Sequence, residues 1–526
     1  MRKPKLVYYN DLRHYLMYRF DPPMSRYQLR QPVDEVLGTG VDTLSVGLAS
    51  GQTFWHDTKV GLKWGERVER HNNGVMWWRA GENLEHALRE GIDPLKVVID
   101  RAHEKDLQVL CSLKLNDPSY LESDKLYWLG KLKWDHPEVM IGEEDPEEPK
   151  IATCSDYAHP EVRQERLDVL EEVVFNYGPD GIELDDCLKD SHLRVFFKPS
   201  EARQNIPILT EFIRDVRRLL DHAGESKWGR RLALAMRVHP TEEGNLSAGM
   251  DVRSWLAEGL LDFVVPYLGG PHDKLTDSQY SFDWLVDAAK ASDTWVYSPA
   301  GRTPYDDRYR EQTIEMFRAT ASNLHARGAD GLYLEDLKWP HSRDQYMILR
   351  EMGDPDIYER KTKHYMFAPG IDTVDSAPLD RPLPVTMTEG LTASIPVYVG
   401  DDLDSARSDG ALKSVVLGVR IVQTGPDDRF TFRFNGQELG LDHAEVVTYY
   451  GGAVPYQAFR AGLPERIDTY YWYRFHLPLD LVQQGQNTFE LTMDKRLAPR
   501  TEDRLLQQIE LVINYIEPPV PVEGQM

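Results

Sequence analysis

The sequence predicts a (β/α)₈ TIM barrel followed by an all-β sandwich. From residue 5 to about 352, eight short runs rich in Val, Leu and Tyr alternate with longer amphipathic segments, the pattern of βα units. Past a stretch with four prolines at 367–385 the periodicity falls to two, with turn residues between the runs. At 526 residues the chain is also too long for one ordinary domain.

The barrel strands are expected, in order, at "KLVYYND" (5–11), "VDTLSVGLA" (41–49), "LQVLCSLKLN" (107–116), "DGIELDDC" (180–187), "LALAMRVH" (232–239), "LDFVVPYL" (261–268), "TWVYSPAG" (294–301) and "DGLYLEDL" (330–337). Helices are expected between them, among others over 83–106, 159–178 and 309–328. Eight such alternations place a catalytic-sized barrel over 1–365, a linker over 366–385 and a sandwich over 386–526. The sandwich runs lie at 414–423, 429–439, 469–479, 487–493 and 508–516, and Asn435-Gly436 marks a two-residue hairpin turn.

Composition narrows the partners. A net charge of −25 disfavours nucleic acid and anionic membrane, both of which need a basic footprint. No apolar run approaches the roughly 18 residues of a membrane span. Three cysteines without CxxC spacing, Cys111, Cys154 and Cys187, give neither a disulfide framework nor a cysteine metal site. The N-terminus has no secretory pattern, so the chain as it stands is expected in the cytoplasm; an exported protein stripped of its leader reads the same way. The acidic run at 142–150 reads as a solvated loop, no cofactor is called for, and assembly into identical copies is left open.

In such a barrel the chemistry sits at the C-terminal ends of the strands. Side chains alternate along a strand, so in "DGIELDD" Glu183 and Asp185 point inward while Ile182, Leu184 and Asp186 point outward or to the rim. The same parity in "DGLYLED" turns Tyr333 and Glu335 inward and Asp336 away. Asp185 and Glu335 thus occupy equivalent positions on strands four and eight, on opposite sides of the barrel. Two carboxylates facing one cleft are what glycosidic hydrolysis requires, one as proton donor and one as nucleophile or base. Opposite placement leans towards the wider spacing of an inverting pair.

Other strand ends are polar too: Asn10, Asp11, Arg13 and His14; Lys114, Asn116 and Asp117; Arg237 and His239; Tyr267; Arg302; Lys338 and Trp339. The cations among them either converge on an anionic sugar or neutralise Glu183, Asp185 and Asp336. Six of twelve tryptophans, Trp55 and Trp78 among them, sit in the long loops after strands two and three, where aromatic faces can stack on sugar rings or simply pin the loops. Metal hydrolysis is disfavoured, because strand one lacks an HxH and no His pair has zinc spacing. The loops after strands seven and eight are not the glycine-rich loops of a phosphate site. Cys187 has inward parity but no neighbouring histidine base.

The barrel resembles the bacterial glycosyl-hydrolase-like proteins distantly related to alpha-amylase-type and family-10-like barrels. The resemblance rests on "DGIELDD" and on "DVRSWLAEGLLDFVVPYL" (251–268), with Asp251, Trp255, Gly259, Asp262, Pro266 and Tyr267 in the matching places, and spans residues 5–350. It implies carbohydrate hydrolysis with Asp185 or Asp186 as a catalytic carboxylate. Residues 180–187 also look like a chitinase-type signature, but Cys187 stands where that motif has its glutamate, so that mechanism is not carried over. The C-terminal part is similar to the accessory β-domains of carbohydrate-active enzymes, and "PLDLVQQGQNTFEL" (478–491) carries their loop and asparagine pattern.

The reading is therefore a glycoside hydrolase acting on a poly- or oligosaccharide. Asp185 and Glu335 are the primary pair and Asp186 the reserve. Glu183, Lys114, Asn116, Arg237, His239, Tyr267, Arg302, Asp336, Trp339, Trp55 and Trp78 are expected to contact substrate. A uronate lyase and a non-catalytic carbohydrate-binding protein are the alternatives.

Overall fold

The structure, a computed structural model, describes residues 1–68, 74–118, 126–142, 149–186, 194–267, 281–300, 308–309, 312–335, 337, 341–367, 382–450, 469–496 and 502–516. The chain divides into two compact units. One comprises Met1–Asp273, Phe282–Pro299 and Gly328–His341; the other comprises Lys274–Ser281, Ala300–Arg327 and Ser342–Met526.

The first unit holds the barrel. Its strands are β1 (Leu6–Asp11), β2 (Thr43–Gly47), β3 (Gln108–Lys114), β4 (Gly181–Asp185), β5 (Ala233–Val238), β6 (Phe263–Pro266), β7 (Trp295–Pro299) and β8 (Gly331–Glu335). All pairings are parallel, and β1 bonds both β2 and β8, which closes the ring. Alternation fills the interior: Val7, Leu110, Ala233, Ala235, Phe263, Val265, Tyr297 and Tyr333 form one buried cluster. The two alanines of β5 leave room for Phe263 and Tyr297, whose rings pack edge to face.

The N-terminal ends of the strands carry a recurrent clasp. Asp42, Asp180, Asp262 and Asp330 each stand immediately ahead of an even-numbered strand. Each accepts a backbone N–H at the start of the odd-numbered strand before it: Lys5, Val109, Leu234 and Val296, at 2.9, 2.8, 2.8 and 2.8 Å. The glycine after two of these aspartates is a matter of space. A Cβ on Gly181 would lie 2.4 Å from the carbonyl oxygen of Ala233, and one on Gly331 would lie 2.8 Å from that of Lys5. The "DG" of both repeated segments therefore serves strand packing at the floor of the barrel.

Where one helix is expected over 83–106, there are two, Val75–Arg89 and Pro94–Glu104. Asp93 caps the second through the N–H groups of Leu95 and Lys96, and Pro94 cannot continue the first. The expected helices over 159–178 and 309–328 are Pro160–Asn176 and Ile314–Ala326. No helix among the described residues is long and apolar enough to cross a membrane.

The second unit contains an antiparallel sandwich. One sheet runs β9 (Lys363–Phe367), β18 (Arg504–Tyr515), β12 (Leu412–Val422), β16 (Thr469–Leu477), β15 (Glu445–Tyr450), with β10 (Val385–Met387) also paired to β18. The other runs β11 (Thr392–Val399), β17 (Gly485–Lys495), β13 (Arg429–Phe434), β14 (Gln437–Leu439). Alternate residues of both sheets, such as Leu417, Val419, Ile509, Val397, Phe432 and Leu491, meet in one core. Asn435 and Gly436 both have positive φ, 47° and 80°, as the tight β13–β14 hairpin demands. β9 lies ahead of the proline-rich stretch and pairs with the last strand, so this sheet begins inside the span expected for the barrel.

Candidate active site

The mouth of the barrel is organised by Arg237, an inward residue near the end of β5 with a side chain only 4% exposed. Its Nε donates to Glu183 Oε1 on β4 at 3.1 Å, and one terminal nitrogen donates to the Tyr333 hydroxyl on β8 at 2.8 Å. The other terminal nitrogen donates to Glu335 Oε1 at 3.0 Å and lies 3.9 Å from Asp185 Oδ2. The guanidinium also sits against the rings of Tyr9, Tyr267 and Tyr333, with centroids at 4.7, 4.6 and 5.3 Å. Burial alone works against this charge. The carboxylates and Tyr333 outweigh it and hold Arg237 ionised well above its usual range.

Glu183 is fully buried beneath that layer and accepts from Ser112 Oγ at 2.7 Å, from Arg237 and from the Tyr333 hydroxyl at 2.8 Å. Three donors on one buried carboxylate make a fixed foundation for Arg237. Burial is the first cause pushing the Tyr333 phenol well above its usual range, so the group remains a neutral donor.

The two carboxylates above this layer approach the same nitrogen from opposite sides of the ring. Asp185 ends β4, in register with Lys114 of β3, whose Nζ lies 3.3 Å from Asp185 Oδ2. Glu335 ends β8, with its second oxygen accepting from the Tyr267 hydroxyl at 2.6 Å. At 19% its side chain is the most exposed of the three acids, against 5% for Asp185 and none for Glu183. The distances to the shared nitrogen hold the facing oxygens of Asp185 and Glu335 to a separation of no more than about 7 Å, a range that includes both retaining and shorter inverting pairs.

The other sequence candidates fall elsewhere. Asp186 is fully buried and paired to Arg194 Nε at 2.6 Å, while a second nitrogen of Arg194 donates to the Tyr267 carbonyl. This ties the end of β4 to the end of β6 and takes Asp186 out of the cleft. Asn116 is fully buried and spends its amide on loop backbone: Nδ2 donates to the carbonyls of Ser155 and Val195, and Oδ1 accepts from the N–H groups of Asp117 and Ser155. His239 is buried, its Nδ1 accepting from the Thr241 N–H at 3.0 Å. Trp55 is wholly buried, stacked on Trp64 at 5.1 Å, and has no face open to a sugar. Trp78 is 41% exposed on the outer face of its helix. Arg13 lies 2.8 Å from Asp11. Arg302, Asp336, Lys338, Trp339 and Cys187 lie outside the described residues.

Among the cations of the mouth, Arg237 and Lys114 therefore balance Asp185, Glu183 and Glu335, the second of the two roles open to them in the sequence. Tyr9 and Ser112 join the site without having been singled out, and Tyr333, expected to point inward, joins it as a hydrogen-bond partner of Arg237 and Glu183. Parity held the signal for all three, since Val7 and Tyr9, Leu110 and Ser112, and Tyr333 and Glu335 share inward faces.

No protein-family model matches the sequence, and no curated protein matches it. Solved structures similar to the chain include alpha-L-fucosidase isoenzyme 2 from Paenibacillus thiaminolyticus, at 12% identity and a TM-score of 0.38 over 67% of this chain and 49% of that one. A maltogenic alpha-amylase from Thermotoga neapolitana is similar at 12% identity and a TM-score of 0.37, over 69% of this chain and 79% of that one. The alpha-amylase of Geobacillus thermoleovorans is similar at 10% identity and a TM-score of 0.34, over 94% of this chain and 99% of that one. The chain spans about half the length of the fucosidase it matches.

Proposed function

We propose that this protein is a glycoside hydrolase in which Asp185 and Glu335 cleave the glycosidic bond. The observation that carries the reading is the approach of both carboxylates, from opposite sides of the barrel mouth, to one guanidinium nitrogen at 3.9 and 3.0 Å. Both oxygens of Glu335 already accept hydrogen bonds, from Arg237 and Tyr267, the arrangement of an ionised carboxylate serving as nucleophile or base. Asp185, with Lys114 Nζ at 3.3 Å and Arg237 at 3.9 Å, is favoured as a carboxylate in the same way, so the order of the two roles rests on chemical rescue. In the reaction one of the pair gives a proton to the glycosidic oxygen as the bond to the anomeric carbon breaks. Water supplies the new oxygen, directly or through an ester on the other carboxylate, and its proton ends on the carboxylate that acted as base.

The sugar is neutral in this reading, because the described cations at the ends of β3 and β5, Lys114 and Arg237, are matched to carboxylates of the protein itself. A lyase needs a cation for the uronate carboxylate, and among the described residues Arg237 is held by three acids and Lys114 lies 3.3 Å from Asp185.

The test is a screen of plant and algal polysaccharides and aryl glycosides for new reducing ends, with Asp185→Asn and Glu335→Gln beside the unmodified protein. New reducing ends without the ultraviolet absorbance of an unsaturated sugar, lost in both variants, are expected. Aryl glycosides with good leaving groups should restore the variant that lacks the proton donor and leave the other inactive. Hydrolysis at the original rate in both variants would remove the assignment, and an unsaturated product would convert it to a lyase.

A further inference from the structure

Away from the carboxylate cluster, the first unit carries a groove of about 550 Å³, within the range of ligand-binding clefts. One wall is the outer face of the helix Val75–Arg89, where Trp78, Glu82, Glu85 and Arg89 follow at spacings of four, three and four and so line one side. The facing wall is the segment from Lys63 to Glu66. None of these residues belongs to the Arg237 network.

The walls are built differently. Trp64 is buried and locked in an aromatic column, stacked on Trp55 at 5.1 Å, on Tyr127 at 5.3 Å and on Trp77 at 5.9 Å. The Lys63 N–H donates to Glu66 Oε2 at 2.9 Å, which closes the turn of the same wall. Trp77 is drawn into the column, whereas its neighbour Trp78 is turned out and exposed. An indole 41% exposed beside a rigid wall offers a face on which a ring can stack. The rim charges are matched locally: Lys63 lies 3.5 Å from Glu66, and Arg89 lies 2.5 Å from Glu85. Paired acids and bases offer acceptors and donors side by side with no surplus positive charge, which suits the vicinal hydroxyls of a neutral sugar and not an anion.

We propose that this groove binds a neutral glycan chain, with one pyranose ring stacked on Trp78 and its hydroxyls bonded to the Glu82, Glu85 and Glu66 carboxylates. The site is separate from the hydrolytic pair and needs no turnover, so its success or failure is distinguishable from that of the hydrolase reading. The experiment is affinity electrophoresis of the full chain carrying Asp185→Asn and Glu335→Gln, in gels containing xyloglucan, galactomannan or soluble starch, with alginate and polygalacturonate as anionic controls. Retardation by at least one neutral polysaccharide is expected. Trp78→Ala on that background should weaken it about tenfold and Trp78→Phe should retain most of it, with melting curves showing both variants folded at the temperature of the gel. Choline should not compete. Retardation in no neutral gel, retardation in the anionic gels alone, equal binding by Trp78→Ala, or displacement by choline would each overturn the proposal.

Discussion

The two ends of the barrel use the same residue type in opposite ways. At the N-terminal end four carboxylates, Asp42, Asp180, Asp262 and Asp330, each clasp one backbone N–H of a neighbouring strand. At the C-terminal end three carboxylates, Glu183, Asp185 and Glu335, converge on one guanidinium. Each of these acids ties a backbone donor of a neighbouring strand, and Asp180, Asp262 and Asp330 also hold basic side chains beside it, an arrangement that stabilises a strand pair. Three acids crowded around one cation concentrate negative charge far beyond what strand pairing needs, and they leave one of their number partly open to solvent. The repeated segments "DGIELDD" and "DGLYLED" contain both uses at once, a clasp at the first residue and a mouth carboxylate five residues on.

That contrast can be broken first at the mouth. Asp185→Asn and Glu335→Gln should each lower the hydrolytic rate by about 10²- to 10⁴-fold with little change in melting temperature, read by reducing-end release beside thermal unfolding. Arg237→Met should act on both properties, because Glu183 is then left buried and uncompensated. A loss of about 3–5 kcal/mol is expected in denaturant unfolding, and Arg237→Lys should recover part of it.

The clasps should show the reverse. Asp180→Ala and Asp262→Ala each leave a buried backbone N–H without its acceptor, a cost of about 1–3 kcal/mol, while the rate per folded molecule stays unchanged. The smallest effect is a pH dependence. Burial opposes the Asp180 charge, but His103, the Val109 N–H and Arg230 more than offset it, so its carboxyl is held below the usual range. A lowered folded value stabilises above the unfolded value and loses that contribution as pH falls through the folded one. The stability gap between the unmodified protein and Asp180→Asn should therefore shrink below about pH 4, as melting curves at successive pH values will show.

Much of this was legible in the sequence, and the remainder has a common cause. The eight strands declare themselves as short apolar runs, and strand parity alone turns Glu183, Asp185, Tyr333 and Glu335 inward. Partners are another matter. Asn116 and Asp117 look like strand-end polar residues, yet Asn116 is consumed by the backbone of Ser155 and Val195, distant in sequence. Asp186 is adjacent to Asp185 but is claimed by Arg194. Tryptophans have the same ambiguity, since Trp55 and Trp78 share a loop region while one is core and the other surface. Composition supplies the donors and acceptors, and only the fold pairs them. The β9 strand escaped notice because its five residues adjoin a proline-rich stretch and find their partner at the far end of the chain.

The most direct measurement is the release of reducing ends per folded molecule on a cleaved polysaccharide, comparing Glu335→Gln at the mouth with Asp180→Ala at the floor. The predicted result is a fall of at least about 10²-fold for Glu335→Gln and no change for Asp180→Ala. Equal rates in the two variants would contradict the division between a catalytic mouth and a structural floor.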